Sequence, residues 1–214
     1  MSLNWKKCGI LPAAMLLAGT VAMAQSTTAP ATTPSTAAPD PSIAQRKENQ
    51  QQRIGNGVQS GQLTAGETAN LETKEAAING ETKADRAANG GKLTSAEQTQ
   101  INGQQNKLSN QIYDDKHNAN VQHNGTGEVG QRKTNQQDRI AQGVKSGQLT
   151  AGETAKLENN QKAINQQTRA DRAANGGKLT PGEKAQVNKE QNQQSKQIYN
   201  KKHNARTQAG TKPH

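Results

Sequence analysis

SGQLTAGE, residues 60–67, returns letter for letter as residues 146–153, and two close variants follow, GGKLTSAE at 90–97 and GGKLTPGE at 176–183. In all four a threonine (Thr64, Thr94, Thr150, Thr180) stands three residues before a glutamate (Glu67, Glu97, Glu153, Glu183). A threonine at an N-cap accepts a bond from the N3 amide while a glutamate at N3 reaches back to the N-cap amide, so each LTxxE reads as a helix start. The glycines just ahead suit the left-handed turn that closes a preceding helix. Pro181 falls at the first helical position, where its missing N–H costs nothing. The four stretches therefore read as punctuation between helices rather than as loops around a ligand.

Sliding the chain on itself extends the match. Residues 45–120 align without a gap on 131–206, 86 positions later, with about two-thirds of positions identical. Residues 121–130 read as a linker and 207–214 as a polar tail. In the first copy the helix starts predict helices over about 43–59, 65–89 and 95–119. Ile54 and Val58, Leu71 and Ile78, and Ile101, Leu108 and Ile112 recur at spacings of 4 and 7, which gives each helix one narrow apolar face. Leu63 and Leu93 sit in the turns and are expected to plug the bundle ends. Short turns make neighbouring helices antiparallel. The expected fold class is all-α: two tandem antiparallel three-helix units, repeat 1 at 43–120 and repeat 2 at 131–206. Gln194 replaces Leu108 in the second copy and predicts a weaker second bundle. Gln166 replaces Gly80 and should strengthen its helix by roughly 1 kcal/mol if exposed.

The first 24 residues, MSLNWKKCGILPAAMLLAGTVAMA, place Lys6 and Lys7 ahead of an apolar run and end on Ala22-Met23-Ala24. That order is a secretory signal peptide cleaved after Ala24, and it predicts a periplasmic or secreted protein. The apolar run is shorter than the ~20 residues of a membrane span, and nothing in the mature chain is apolar enough to span. Cys8 precedes the run and is badly placed for lipidation. Residues 25–42, rich in Thr, Ala and Pro, read as a disordered, extended spacer. Cleavage removes the only Cys, the only Trp and all three Met, leaving Tyr113 and Tyr199 as the only aromatics. From Ile43 onward there are 20 Leu, Ile or Val residues, and the whole chain has a mean hydropathy of −1.06. A thick core is excluded, so the fold must be thin and marginal.

The GxLTxxE turns resemble the second half of an EF-hand calcium loop, with glycine sixth and glutamate twelfth. In that register the first position falls to Asn56, Arg86, Gln142 and Arg172, and the third to Val58, Ala88, Val144 and Ala174. Those residues depart from the calcium-ligand pattern, so the resemblance implies a weak calcium binder at most. His117, His123, His203 and His214 show no paired metal-ligand spacing. No metal and no cofactor are expected. No nucleophile constellation or phosphate loop appears, and so few apolar residues can hardly build a dry pocket. The chain does not read as an enzyme.

QIYDDKHNA (111–119) and QIYNKKHNA (197–205) end the two copies. Tyr113 with His117, and Tyr199 with His203, share a helical face. They read either as a small binding spot or as a bundle end sealed by Ile112 and Tyr113, with Lys116 and His117 at the negative end of the helix dipole. Residues 45–130 carry a net charge of −1, whereas 131–214 carry +10. Glu75 to Gln161, Asn110 to Lys196, Asp115 to Lys201 and Asn120 to Arg206 help to build that difference. A basic half suits a polyanion such as anionic lipid headgroups, envelope polysaccharide or nucleic acid, or it merely keeps a thin bundle soluble. The candidate contact residues are Tyr113, His117, Lys196, Tyr199, Lys201, Lys202, His203 and Arg206. Without aromatic platforms or a recognition helix, specific nucleic-acid readout is not expected.

RIGNGVQSGQLTAGETANLE (53–72), DRAANGGKLT (85–94) and QIYDDKHNA resemble a group of small exported bacterial helical proteins of uncharacterised function. The resemblance covers most of the mature chain and implies no activity. In composition the chain also resembles hydrophilins, glycine-rich hydrophilic proteins linked to drying and osmotic stress. That likeness implies a protectant, largely unfolded when hydrated. The reading that weighs most here is an exported, non-enzymatic, envelope-associated interaction module whose basic second repeat contacts polyanions.

Overall fold

Four reciprocal Thr–Glu caps and a glycine-rich entry set the helix boundaries of the computed structural model, which describes residues 41–208. The expected signal peptide and its cleavage site, the spacer up to residue 40 and the tail from 209 lie outside the described residues. The helices are α1 (Pro41–Ser60), α2 (Ala65–Ala88), α3 (Ser95–His117), α4 (Glu128–Lys145), α5 (Ala151–Ala174) and α6 (Pro181–Lys202). The fold is all-α, with no strand among the described residues. At Thr64 the amide donates to Glu67 Oε2 at 2.9 Å while the Glu67 amide donates to Thr64 Oγ1 at 3.3 Å. The same box starts α3, α5 and α6. Two starts lie outside the expected bounds. α1 begins inside the expected spacer, and α4 begins inside the expected linker, because Val129 buries against Ile164 and Val187.

Each first helix closes through a glycine in the left-handed region, Gly61 at φ +74° and Gly147 at +70°. The next turn returns a leucine to the helix it has left. The Leu63 amide donates to the Gly57 carbonyl at 3.0 Å, and a Cβ on Gly57 would lie 2.7 Å from Leu63 Cγ, so only glycine lets the leucine plug this end. Gly143 and Leu149 repeat the arrangement. Leu63, Leu93 and Leu149 are fully buried, as plugs should be, whereas Leu179 is half-buried.

Within a copy, α3 bridges α1 and α2, and α6 bridges α4 and α5, but α1 barely meets α2. The extensive interfaces run between copies, α2 on α5 and α1 on α4. Equivalent helices thus pack on each other. Gly66 at the start of α2 lies against Lys162 in the middle of α5, and Gly152 at the start of α5 shares a cleft wall with Ala76 in the middle of α2. Since 66 corresponds to 152 and 76 to 162, α2 and α5 run antiparallel about an approximate two-fold axis. The two tandem units thus pack on each other through α1, α2, α4 and α5.

The core combines apolar contacts with buried amides. In the first copy Ile43, Ile54, Leu71, Ile78, Ile101, Leu108 and Ile112 form one cluster, which also takes in Ala141 from the second copy. The second copy's apolar residues divide into two clusters, and Gln194, buried where Leu108 stands in the first, donates to the Leu157 carbonyl at 2.8 Å. Buried glutamines tie helix to helix elsewhere. Gln50 Nε2 donates to the Gln105 carbonyl at 2.7 Å and to Ser109 Oγ at 2.8 Å, and Gln136 makes the same pair of bonds to Gln191 and Ser195. Each such bond contributes about 1 kcal/mol, but leaving a buried amide unbonded costs more, so these residues specify register more than they add stability.

Candidate interaction site

The capping glutamates are engaged on both oxygens. Glu67 Oε2 accepts from Thr64, and its Oε1 accepts from Asn118 at 2.8 Å and Asn120 at 3.0 Å. Burial opposes ionisation there, but these bonds outweigh it and hold the carboxyl below its ordinary value. Glu153 is tied in the same way by Asn204, and Glu97 and Glu183 by Asn89 and Asn175. The asparagine in each KHNA segment thus serves the cap of α2 or α5. Gln122 and Gln208, placed by sequence in the linker and the tail, act likewise: each amide donates to a turn glycine, and each Oε1 accepts from the first amide of the following helix. The repeat therefore extends structurally to those residues. Among the described residues no group of three or more His, Cys, Asp or Glu is placed to hold a metal ion.

The expected contact residues do not form one patch. Tyr113 and His117 end α3, whereas Lys196, Tyr199, Lys201, Lys202, His203 and Arg206 lie on or just beyond α6, and α3 and α6 do not touch. Each Tyr–His pair brings its rings together, tilted with centroids 4.2 Å apart for Tyr113–His117 and stacked at 4.1 Å for Tyr199–His203. Tyr113 is 59% exposed and Tyr199 56%, so the bundle end is sealed by Ile112 and Ile198 and not by the tyrosines. The pairs lie on the surface, where an aromatic ring finds no apolar counterpart within the fold. Lys202 lays part of its stem over Gly143, and burial followed by the charge of Arg139 lowers its pKa.

At the α2–α5 seam three carboxyls are buried, Glu72, Glu75 and Glu158. Gln51 Nε2 donates to Glu72 Oε2 at 3.1 Å, and Gln137 Nε2 donates to Glu158 Oε2 at 3.0 Å. Burial raises the Glu72 pKa well above the ordinary carboxylate value against the Gln51 bond, and the charges of Glu75 and Glu158 add to the rise. Burial pushes Glu158 up to about 8 against Gln137 and Lys133, and Glu75 up to about 7 against Lys47. Burial thus favours the protonated form of all three, since an ionised buried carboxylate with so little hydrogen-bonding help is costly.

Two clefts flank the seam and correspond under the two-fold. One, about 480 Å³, is lined by the start of α5 with Lys47, Ala76, Gly80, Lys83 and Arg86. The other, about 570 Å³, is lined by the start of α2 with His123, Lys133, Lys162, Gln166 and Arg169, and adjoins a hollow of about 250 Å³ that adds Arg172. Burial first, then Arg169 and Arg172, pushes Lys133 down to about 8, while Glu158 works weakly against them. Sequence reasoning missed this site because its walls come from α2, the linker, α4 and α5. The signal was available in differences clustered between the copies: Glu75 to Gln161, Ala76 to Lys162, Gly80 to Gln166 and Lys83 to Arg169.

No described helix is long and apolar enough to cross a membrane. Compared with family models, curated proteins and solved structures, the chain matches none.

Proposed function

We propose that this is an exported, non-enzymatic helical repeat protein that contacts polyanions of the cell envelope through its basic second copy. The observation that carries the reading is the pairing of charges. Among the described residues Arg132 and Lys184 form ion pairs, both with Glu128. On α5 and α6 the exposed Lys156, Lys162, Arg169, Lys189 and Lys196 form no ion pair with a described carboxylate. Such a surface attracts an anionic partner at long range and loses it as salt screens the field.

The test uses the full-length protein, because α4 and α5 bury their faces on α1 and α2. Cosedimentation with phosphatidylglycerol vesicles and retention on an acidic polysaccharide are measured as salt rises from ~50 to ~300 mM. Binding that falls steeply with salt, and falls further in Lys156→Ala/Lys189→Ala/Lys196→Ala, supports the reading. Absence of salt-sensitive binding to either overturns it. Protection of a labile enzyme through drying, equal for this chain and for a shuffled one, would favour a hydrophilin-like protectant instead.

A further inference from the structure

We propose that the cleft bounded by Lys133, Lys162, Arg169 and Arg172 binds a phosphate-bearing ligand, a phosphomonoester or pyrophosphate, and that its two-fold counterpart in the first copy does not. The inference rests on the polyanion reading for its sign of charge and goes beyond it in naming the group and the place.

The comparison between the clefts is an internal control, since backbone and capping are shared. In the first cleft Lys47 has Glu75 as a counter-charge. In the second the equivalent of Glu75 is Gln161, so Lys133 has lost that partner, and Glu158 beneath it is held largely neutral by burial. Of three neighbouring positions, Ala76 to Lys162 adds a cation, Gly80 to Gln166 adds a neutral donor, and Lys83 to Arg169 keeps the charge and exchanges an ammonium for a planar guanidinium. Lys133 Nζ donates to the His123 carbonyl at 2.9 Å, which satisfies one proton and no charge. Lys162, Arg169 and Arg172 make no side-chain hydrogen bond or ion pair with a described residue, although Arg169 and Arg172 are close enough to Lys133 to depress it.

Lys162 adds a second anomaly. Its Nζ would lie 3.8 Å from a Cβ on Gly66, above the first turn of α2, where the helix dipole disfavours a cation. A cation pool with no counter-charge is electrostatically unfavourable until an anion enters, and this one also adjoins the opening turn of a helix. The chemistry selects phosphate over carboxylate. Four cations need a ligand carrying about two charges or more with at least three acceptor oxygens, and two arginines supply planar forks that match phosphate geometry. Gln166 and Asn165 on the same wall add neutral donors.

The experiment is calorimetric titration of the full-length protein with inorganic pyrophosphate at low ionic strength, with sulfate as the comparison anion. Pyrophosphate is expected to bind more tightly than sulfate. Lys162→Ala/Arg169→Ala should weaken it about tenfold or more. Gln161→Glu, which reinstates the first copy's counter-charge, should weaken it about threefold to tenfold, while Lys83→Ala in the first cleft leaves it unchanged. Lys162→Ala installs the residue that the first copy already carries and Arg169 is exposed, so a thermal melt identical to the parent's separates lost binding from lost fold.

No pyrophosphate heat, or equal binding by the Lys162→Ala/Arg169→Ala variant, overturns the proposal. If salt-sensitive vesicle binding persists in that case, the cleft fails and the envelope reading stands. If pyrophosphate binds in the Lys162-dependent manner while vesicles and polysaccharide do not, the cleft stands and the envelope reading fails. Vesicles containing phosphatidic acid distinguish the two sources of the group. Lys162-dependent binding to them marks a lipid headgroup, and pyrophosphate binding without it marks a soluble phosphate, either of which supports the site.

Discussion

Glu72 of α2 and Glu158 of α5 hold the same position in their two copies and are both fully buried, each held by one glutamine, at the seam where the copies meet. Their folded-state pKa values lie above those of the unfolded chain. Between about pH 4.5 and pH 8 the folded protein keeps a proton on Glu158 that the unfolded chain releases, so stability falls as pH rises through that window, and Glu72 acts in the same direction. Glu75 contributes in the same direction up to about pH 7. The capping glutamates, with lowered values, act oppositely and cost stability only as pH falls below about 4.5. Lys133, lowered to about 8, adds stability as pH rises from there toward the ordinary lysine value, and Lys47, also lowered, acts in the same direction. Melting temperature should therefore peak near pH 5 and decline toward pH 8. Glu158→Gln should flatten the decline and raise stability at pH 8 by on the order of a few kcal/mol. A melting temperature that rises from pH 5 to pH 8 would contradict the assignment.

Close approach of α1 and α4 depends on small residues. A Cβ on Gly55 would sit 3.2 Å from the Ala141 carbonyl and 2.5 Å from Lys145 Cγ, and Ala141 is the two-fold equivalent of Gly55. Gly55→Leu should force the pair apart and cost about 1–3 kcal/mol. Gly103, with open space around it, is the control: Gly103→Ala should stabilise by up to ~1 kcal/mol through helix propensity. Urea denaturation of both variants measures the contrast.

Gln194 interrupts the second copy's apolar core and leaves its Oε1 without a protein partner. Restoring the first copy's residue, Gln194→Leu, should join the two clusters and stabilise by about 1 kcal/mol. A loss of more than that in the denaturation midpoint would show that the bond to the Leu157 carbonyl outweighs the burial.

Thr64→Ala and Thr150→Ala should each cost about 1 kcal/mol, since each removes an N-cap acceptor. The double variant should lose the sum, because the two caps sit at opposite ends of the α2–α5 pair and share no partner. Calorimetric melts of the single and double variants decide whether the costs add.

The helix starts were legible because capping is a local code. Thr64 and Glu67 state in four residues what their backbone does, and the turn leucines follow from the same frame. Pairing between copies was illegible because the residues at the seam, Glu72, Glu75, Glu158 and Gln161, carry no hydropathy signal and acquire their burial only from helices that come together across the two-fold. Tyr113 misled for a related reason. An aromatic beside Ile112 looks like a core residue in a chain with so few apolar side chains, yet the helical turn points it outward. The cleft lay between these cases, since its four substitutions are visible in the alignment of the copies but converge only when α2 and α5 cross.

A chain that encodes both halves of a two-fold pair can do what two identical chains cannot. In a dimer of one short polypeptide, any change that makes one cleft more basic makes its twin more basic as well, and the added repulsion is incurred twice. Covalent fusion frees the halves to diverge, so one keeps Glu75 while the other carries Gln161 in its place and gains Lys162. The duplicated fold thus carries two unlike clefts on one shared frame.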